Sequence, residues 1–252
     1  MSPYFSQRIA YQQSIGYLDP LKAPLKVWLN DLLGLLYPRR CASCDEALYL
    51  HERILCQHCH GDLPLTRFHD DPENRVEKLF QGRLPLHAAS SFLLFNRTGM
   101  VQRMLHRLKY KGETDLGLEL GRMMAEDLAK SERFSEVDLL VALPLHPKRE
   151  YQRGYNQSRL LVEGMRSINH LEDASDGVVR TRTTRTQTRR GRWDRWTNVR
   201  EAFQVKRPDL LEGRHILLVD DVVTTGATLE ACARSLLDIP GVKLSIFTAA
   251  CA

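Results

Sequence analysis

One stretch constrains this chain more than any other: His215-Ile216-Leu217-Leu218-Val219-Asp220-Asp221-Val222-Val223-Thr224-Thr225-Gly226-Ala227-Thr228. Ile216 to Val219 form a short unbroken apolar run, the pattern of a strand buried on both faces of a parallel sheet. Asp220 and Asp221 follow, where such a strand would emerge. Thr224, Thr225, Gly226, Ala227 and Thr228 make a small hydroxyl-rich turn, and Leu229 to Leu237 carry a helical pattern. Loop amides and a helix N-terminus favour a phosphate, and threonine hydroxyls add donors. Ionised carboxylates only accept hydrogen bonds and are hard oxygen ligands, so the acid pair suits sugar hydroxyls or magnesium. The expected ligand has a phosphate at one end and a polyol in the middle.

Asp220 to Thr228 resemble the phosphoribosyl pyrophosphate (PRPP) signature of type I phosphoribosyltransferases. That resemblance implies that Asp220 and Asp221 hold the ribose hydroxyls. It gives Thr224 to Thr228 the 5′-phosphate.

The chain has 252 residues, room for one ordinary domain and a small module. Its formal net charge of +5 favours anionic partners without naming one. No apolar run approaches the length of a membrane span. Met1-Ser2-Pro3-Tyr4-Phe5 does not begin a signal peptide, so a cytoplasmic protein is expected. There, six cysteines are metal ligands or buried thiols sooner than disulfides.

Residues 1–24 are weakly patterned, and Leu25 to Leu36 read as an amphipathic docking helix that stops before Pro38. Cys41-Ala42-Ser43-Cys44 and Cys56-Gln57-His58-Cys59 follow, separated by Asp45 to Leu55. Four thiolates at this spacing close a tetrahedral zinc site with no open position, hence a structural one. The intervening segment is long enough for a small hairpin, and a module this small needs a metal staple. The division expected is 1–37 for the extension and docking helix, 38–66 for a zinc ribbon and 86–252 for the main domain.

Leu63 to Leu84 read as a connector. A strand is expected over Leu86 to Phe95, a helix over Thr98 to Leu108 capped at Thr98, and a second helix over Asp115 to Lys130. Lys109-Tyr110-Lys111-Gly112 form a basic cluster between the two helices. Val137 to Leu143 are the next strand, followed by Pro144-Leu145-His146-Pro147-Lys148-Arg149 and by Arg153-Gly154-Tyr155-Asn156-Gln157. A cationic turn after a strand is a second anion site, and guanidinium forks suit phosphate oxygens. Arg149 and Arg153 are its candidates, and the phosphoribosyltransferase resemblance makes the anion pyrophosphate. Cys232 and Cys251 read as small buried hydrophobes.

Arg180 to Arg200 hold eight arginines against the single acid Asp194, a formal charge of +7. Arg182, Arg185, Arg189, Arg190, Arg192 and Arg195 are interleaved with Trp193 and Trp196. This composition suits a loop that closes over a polyphosphate, and equally a surface where bases of single-stranded DNA stack on rings.

Together these pieces resemble the ComF/GntX family of competence-associated, amidophosphoribosyltransferase-like proteins. Lys109-Tyr110-Lys111-Gly112 is similar to its Lys-Tyr-x-Gly element, and Pro144-Leu145-His146 with Arg153-Gly154-Tyr155-Asn156-Gln157 to its Pro-Leu-His…Arg-Gly-Phe-Asn-Gln element. Thr186-Gln187, Asp194-Arg195-Trp196-Thr197-Asn198-Val199 and Ala202-Phe203 are similar to a third element. Tyr155 and Asp194 depart conservatively from Phe and Glu.

The resemblance implies an α/β fold: a mainly parallel open sheet with helices on both faces, preceded by a zinc ribbon that takes the place of a substrate-covering hood. The strands would include Val137–Leu143, Val178–Arg180, Ile216–Val219 and Leu244–Ala249. It further implies magnesium with PRPP as ligand, a role in DNA uptake during natural transformation, single-stranded DNA as a partner, and room for the competence helicase. The alternative is an active phosphoribosyltransferase with an unidentified nitrogen acceptor.

Overall fold

The computed structural model describes residues 38–95, 99–181 and 202–252. The docking helix expected over Leu25 to Leu36 lies outside the described residues. So do Arg182, Arg185, Arg189, Arg190, Arg192, Trp193, Arg195 and Trp196.

The centre of the fold is β6, His215–Val223, nine residues long. It pairs in parallel with β2, Leu139–Ala142, on one side and with β7, Lys243–Cys251, on the other. β1, Ala88–Leu94, pairs with β7, and β3, Glu172–Asp173, pairs with β2, so the order is β1-β7-β6-β2-β3 and every pairing is parallel. Successive β6 residues face opposite ways. Leu217 and Val219 join a core formed with α3 (Met100–Tyr110), α4 (Thr114–Leu128) and α6 (Gln157–Asn169). Ile216 and Leu218 join the opposite core, with α2 (Arg75–Phe80) and α7 (Ala227–Leu237). All four are fully buried. At about 2 kcal/mol each, their burial outweighs the cost of setting polar groups in the same strand.

Two helices on one face meet backbone to backbone. A Cβ on Gly121 of α4 would lie 2.1 Å from the Leu161 carbonyl oxygen, and one on Gly164 of α6 would lie 2.0 Å from that of Leu118. Only glycine permits this approach, and it fixes where α6 starts relative to β6.

Several expectations are corrected. Val178–Arg180 (β4) does not join the parallel sheet. It pairs antiparallel with β5, Phe203–Val205, because the edge beside β2 is already taken by β3. α3 has Gly99 at its N-cap position and runs on to Tyr110, two residues past the expected Leu108, while the cap expected at Thr98 lies outside the described residues. The Leu63-to-Leu84 connector contains α2, whose Val76 and Phe80 are buried.

Asp45 to Leu55 hold turns rather than a two-stranded hairpin. There Cys41 N–H donates to the Glu46 carbonyl (2.8 Å) and Ala42 N–H to that of Ile54 (2.8 Å). The Glu52 carboxylate accepts from the amides of Tyr49 and Gln57, each at 2.7 Å, so side-chain bonds replace a ladder. Gln57–Gly61 form the one-turn helix α1. Cys41, Ala42, Leu55 and Cys59 share a core with Val101, Met104, Leu105 and Leu108 of α3, and residues Cys41 to Ala252 form one compact unit. Among the described residues no helix is long and apolar enough to cross a membrane.

Candidate ligand crevice and metal centre

The strand order reverses between β2 and β6. From β2 the chain passes to β3 on one side, and from β6 to β7 on the other. In open α/β sheets the crevice beyond the carboxyl ends at such a point receives ligands. A cavity of about 250 Å³ lies there. β2 ends at Ala142 opposite Val219, whereas β7 stays paired with β6 as far as Cys251. Asp220 and Asp221 therefore lie within the strand, not past its end as the sequence suggests, and are uncovered on the β2 side alone.

Asp220 is half-buried. Its Oδ1 accepts from the Ser158 hydroxyl (2.9 Å) and from the Asp221 amide (2.8 Å). Ser158 belongs to the first turn of α6, whose N-cap Asn156 also donates its Nδ2 to the Leu143 carbonyl at the end of β2 (3.0 Å). Asp221 is buried, and its Oδ2 lies 2.9 Å from the Lys109 ammonium. Burial, and then the Asp221 carboxylate beside it, push the Asp220 carboxyl up to about 7.

Thr224 and Thr225 are exposed at the turn after β6. Gly226 is the N-cap of α7 at φ 73°, with no side chain capping the helix. The first-turn amides of Ala227 and Thr228 are left open to the cavity, a ready anion site. Gly226 is required twice over: for its left-handed backbone, and because a Cβ there would lie 2.7 Å from the Phe80 ring. Arg83 braces the turn, donating to the Thr225 carbonyl (3.4 Å) and pairing with Glu230, which also binds Arg234.

Arg149 and Arg153 lie on α5, Pro147–Arg153, and both line the cavity. Arg153 rests over the Tyr110 ring, 5.5 Å from its centre. The neighbouring Lys148 does not line the cavity. Ser158, to which the sequence reading gave no role, lines the cavity, as do Lys109 of the basic cluster and Arg180 at the start of the arginine-rich stretch. The signals for Lys109 were the basic cluster and the Lys-Tyr-x-Gly element; neither pointed to Asp221. Arg180 lies over the Phe203 ring (5.3 Å), and burial, then the charge of Arg149, lowers its pKa.

Cys41, Cys44, Cys56 and Cys59 bring four sulfurs within 4.8 Å of one another, with Cys44 Sγ and Cys56 Sγ 3.7 Å apart. A tetrahedral zinc with Zn–S bonds of about 2.3 Å needs sulfurs about 3.8 Å apart, so the donor set and its size fit that ion. Amides of Cys56 and Cys59 point at the sulfurs of Cys41 and Cys56 (3.4 and 3.5 Å). Burial opposes a thiolate at Cys41, but backbone amides of Cys44, Cys56 and Ser43 outweigh it and bring the group to about 7. His51, His58 and His60 are not part of the group.

The profile described as "Phosphoribosyl transferase domain" matches residues 164–252. The DNA utilization protein YhgH of Escherichia coli K12 is 34% identical over 221 residues, 86% of this chain and 92% of that protein. Competence protein ComFC of Bacillus subtilis is 30% identical across 58% of this chain and 57% of its own length. Competence protein F of Haemophilus influenzae is 27% identical across 53% and 60%. With a third of its residues shared along nearly the whole of its Escherichia relative, this chain belongs to the ComF family of phosphoribosyltransferase-fold proteins.

Proposed function

We propose that this protein is a DNA-uptake factor that binds PRPP with magnesium in the crevice between β2 and β6 and holds single-stranded DNA nearby. The observation that carries this reading is the composition of one cavity. It has an acid pair on one wall, an uncapped helix end at the turn beside it, and lysine and arginines around them. A phosphate, a polyol and a second polyanion are the chemistry these groups match.

In this reading the amides and hydroxyls of Thr224 to Thr228 hold the 5′-phosphate, and Asp220 and Asp221 orient the ribose. Arg149 and Arg153 face the pyrophosphate. Magnesium, when bound with PRPP, screens the charge of that pyrophosphate. The four cysteines hold a structural zinc, which keeps the small module folded on α3. The names carried by the relatives, DNA utilization and competence, supply the process, and the stretch from Arg182 to Trp196 supplies the composition of a strand-binding surface. The site of action is the cytoplasm, where incoming strands and PRPP meet.

The test is PRPP binding and pyrophosphate release in magnesium, with nucleobases, amines and single-stranded DNA as acceptors. Asp220→Asn/Asp221→Asn serves as the control. Binding without release, abolished in the control, supports the uptake factor. Release that depends on one acceptor makes the protein a transferase instead, and no binding rejects the ligand.

Replacing Arg189, Arg190 and Arg192 together by alanine is expected to weaken single-strand binding and to lower its salt slope by about 2–3 units. Unchanged binding would remove that stretch from the interface. Native mass spectrometry is expected to find one zinc per chain, absent after Cys41→Ser, and a metal-free wild type refutes the zinc assignment.

A further inference from the structure

α3 delivers one side chain to the acid pair. The Lys109 ammonium stands 2.9 Å from Asp221 Oδ2, at the place a bound cation would take. Both partners are shielded, with side chains 21% and 11% exposed. The helix that carries Lys109 is held along its length. Arg103 Nε donates to the Ser43 carbonyl (2.6 Å), Arg107 Nη1 to the Cys41 carbonyl (3.0 Å), and the Leu108 carbonyl accepts from the Tyr155 hydroxyl. Lys109 lies in the last turn, where the helix dipole favours a positive charge. An ammonium is a compact point charge on a flexible stem, closer to a metal ion in character than a guanidinium is.

The charge balance of the cavity points the same way. Lys109, Arg149 and Arg153 line it together with two carboxylates, Asp220 and Asp221. A bare divalent cation entering this site meets a surplus of positive charge and a carboxylate already paired. A polyphosphate that carries its own metal brings the negative charge the site lacks.

We infer that Lys109 is a tethered stand-in for the divalent cation. It pairs with Asp221 while the pocket is empty, keeps free magnesium off the acid pair, and turns to the phosphates of a ligand that arrives with its metal. The second half rests on the proposed PRPP reading; the exclusion of free metal rests on the geometry alone.

The experiment uses the full zinc-loaded chain and manganese as the probe, followed by electron paramagnetic resonance without nucleotide. The wild type is expected to show no manganese site that depends on Asp221. Lys109→Met is expected to gain one site per chain, lost again in Lys109→Met/Asp221→Asn, and Lys109→Arg is expected to restore exclusion. Equal manganese binding by wild type and Lys109→Met overturns the proposal. So does a wild-type site that Asp221→Asn removes, a result that needs no Lys109 variant to fold.

With magnesium saturating, Lys109→Met is expected to bind PRPP at least about tenfold more weakly, the loss of one charge-assisted contact. An unchanged affinity overturns the ligand half of the proposal. A wild type that fails to bind PRPP at all would refute the proposed ligand and leave the manganese result to decide the exclusion of free metal.

Discussion

The two ends of β6 carry the same physical problem with opposite outcomes. At its start, burial, then the charges of His87 and Lys243, push the His215 imidazole down to about 4. Near its other end, burial and Asp221 push Asp220 up to about 7. Both groups are thereby pressed toward their neutral forms. His215 is closed in: its Nε2 lies 2.9 Å from the Ser245 hydroxyl, and the His87 ring packs edge-on against it at 4.9 Å. Asp220 opens on a cavity, with Ser158 and the Lys109–Asp221 pair at its side. A perturbed proton affinity is thus common to a packed strand and a binding site. Access to a cavity separates the two.

The sharpest break between the ends comes from removing the charges. Asp220→Asn/Asp221→Asn is expected to weaken PRPP binding by at least about a hundredfold, while His215→Leu leaves it unchanged. Isothermal titration on both variants checks this, and a binding defect in His215→Leu would erase the distinction.

Unfolding free energy against pH sharpens it further, measured in urea without magnesium. His215 is held neutral in the folded chain, so its contribution is whole above about 6.5. It is lost as pH falls toward 4, an effect of about 3 kcal/mol. Asp220 has the reverse sign: its folded value lies above the unfolded one, so stability is lost as pH rises from about 4 through about 7. Asp220→Asn is therefore expected to be more stable than wild type at pH 7 and to lose the fall in stability between about pH 4 and 7 that the carboxyl adds. His215→Leu is expected to lose the steeper fall toward pH 4 that the imidazole adds. Parallel curves for the two variants would contradict the assignment.

The smallest effect expected is at the turn after the strand. Gly226→Ala is expected to cost about 2 kcal/mol in urea unfolding, from the positive φ and the Phe80 contact, and to weaken phosphate binding. An unchanged midpoint would mean that the ring moves aside freely.

The positions of the acid pair and of the turn from Thr224 to Thr228 were legible because strand, carboxylates, turn and helix lie in one unbroken stretch. The four cysteines were legible for the same reason. The opposite wall was legible only in part. Arg149 and Arg153 follow a strand in a recognisable way, but Lys109 and Ser158 reach Asp221 and Asp220 only through the packing of three helices against β6. The Gly121–Gly164 contact that sets part of that packing has no periodic signature. The misread strand at Val178 has a similar cause: three residues cannot announce which of two sheets they will join. Turns took the place of the expected hairpin because the Glu52 carboxylate satisfies amides that a ladder would otherwise use.

The cysteine module is gripped by α3 through main-chain oxygens, those of Cys41 and Ser43. Every residue type offers the same carbonyl, so these two hydrogen bonds ask nothing of the side chains at the accepting positions; the demand comes from the apolar packing of Ala42 and Leu55 against α3. The orientation of the module on α3 is thereby tied to the main chain beside Cys41 and to two arginines, so a change of side chain at Ser43 leaves that hold in place.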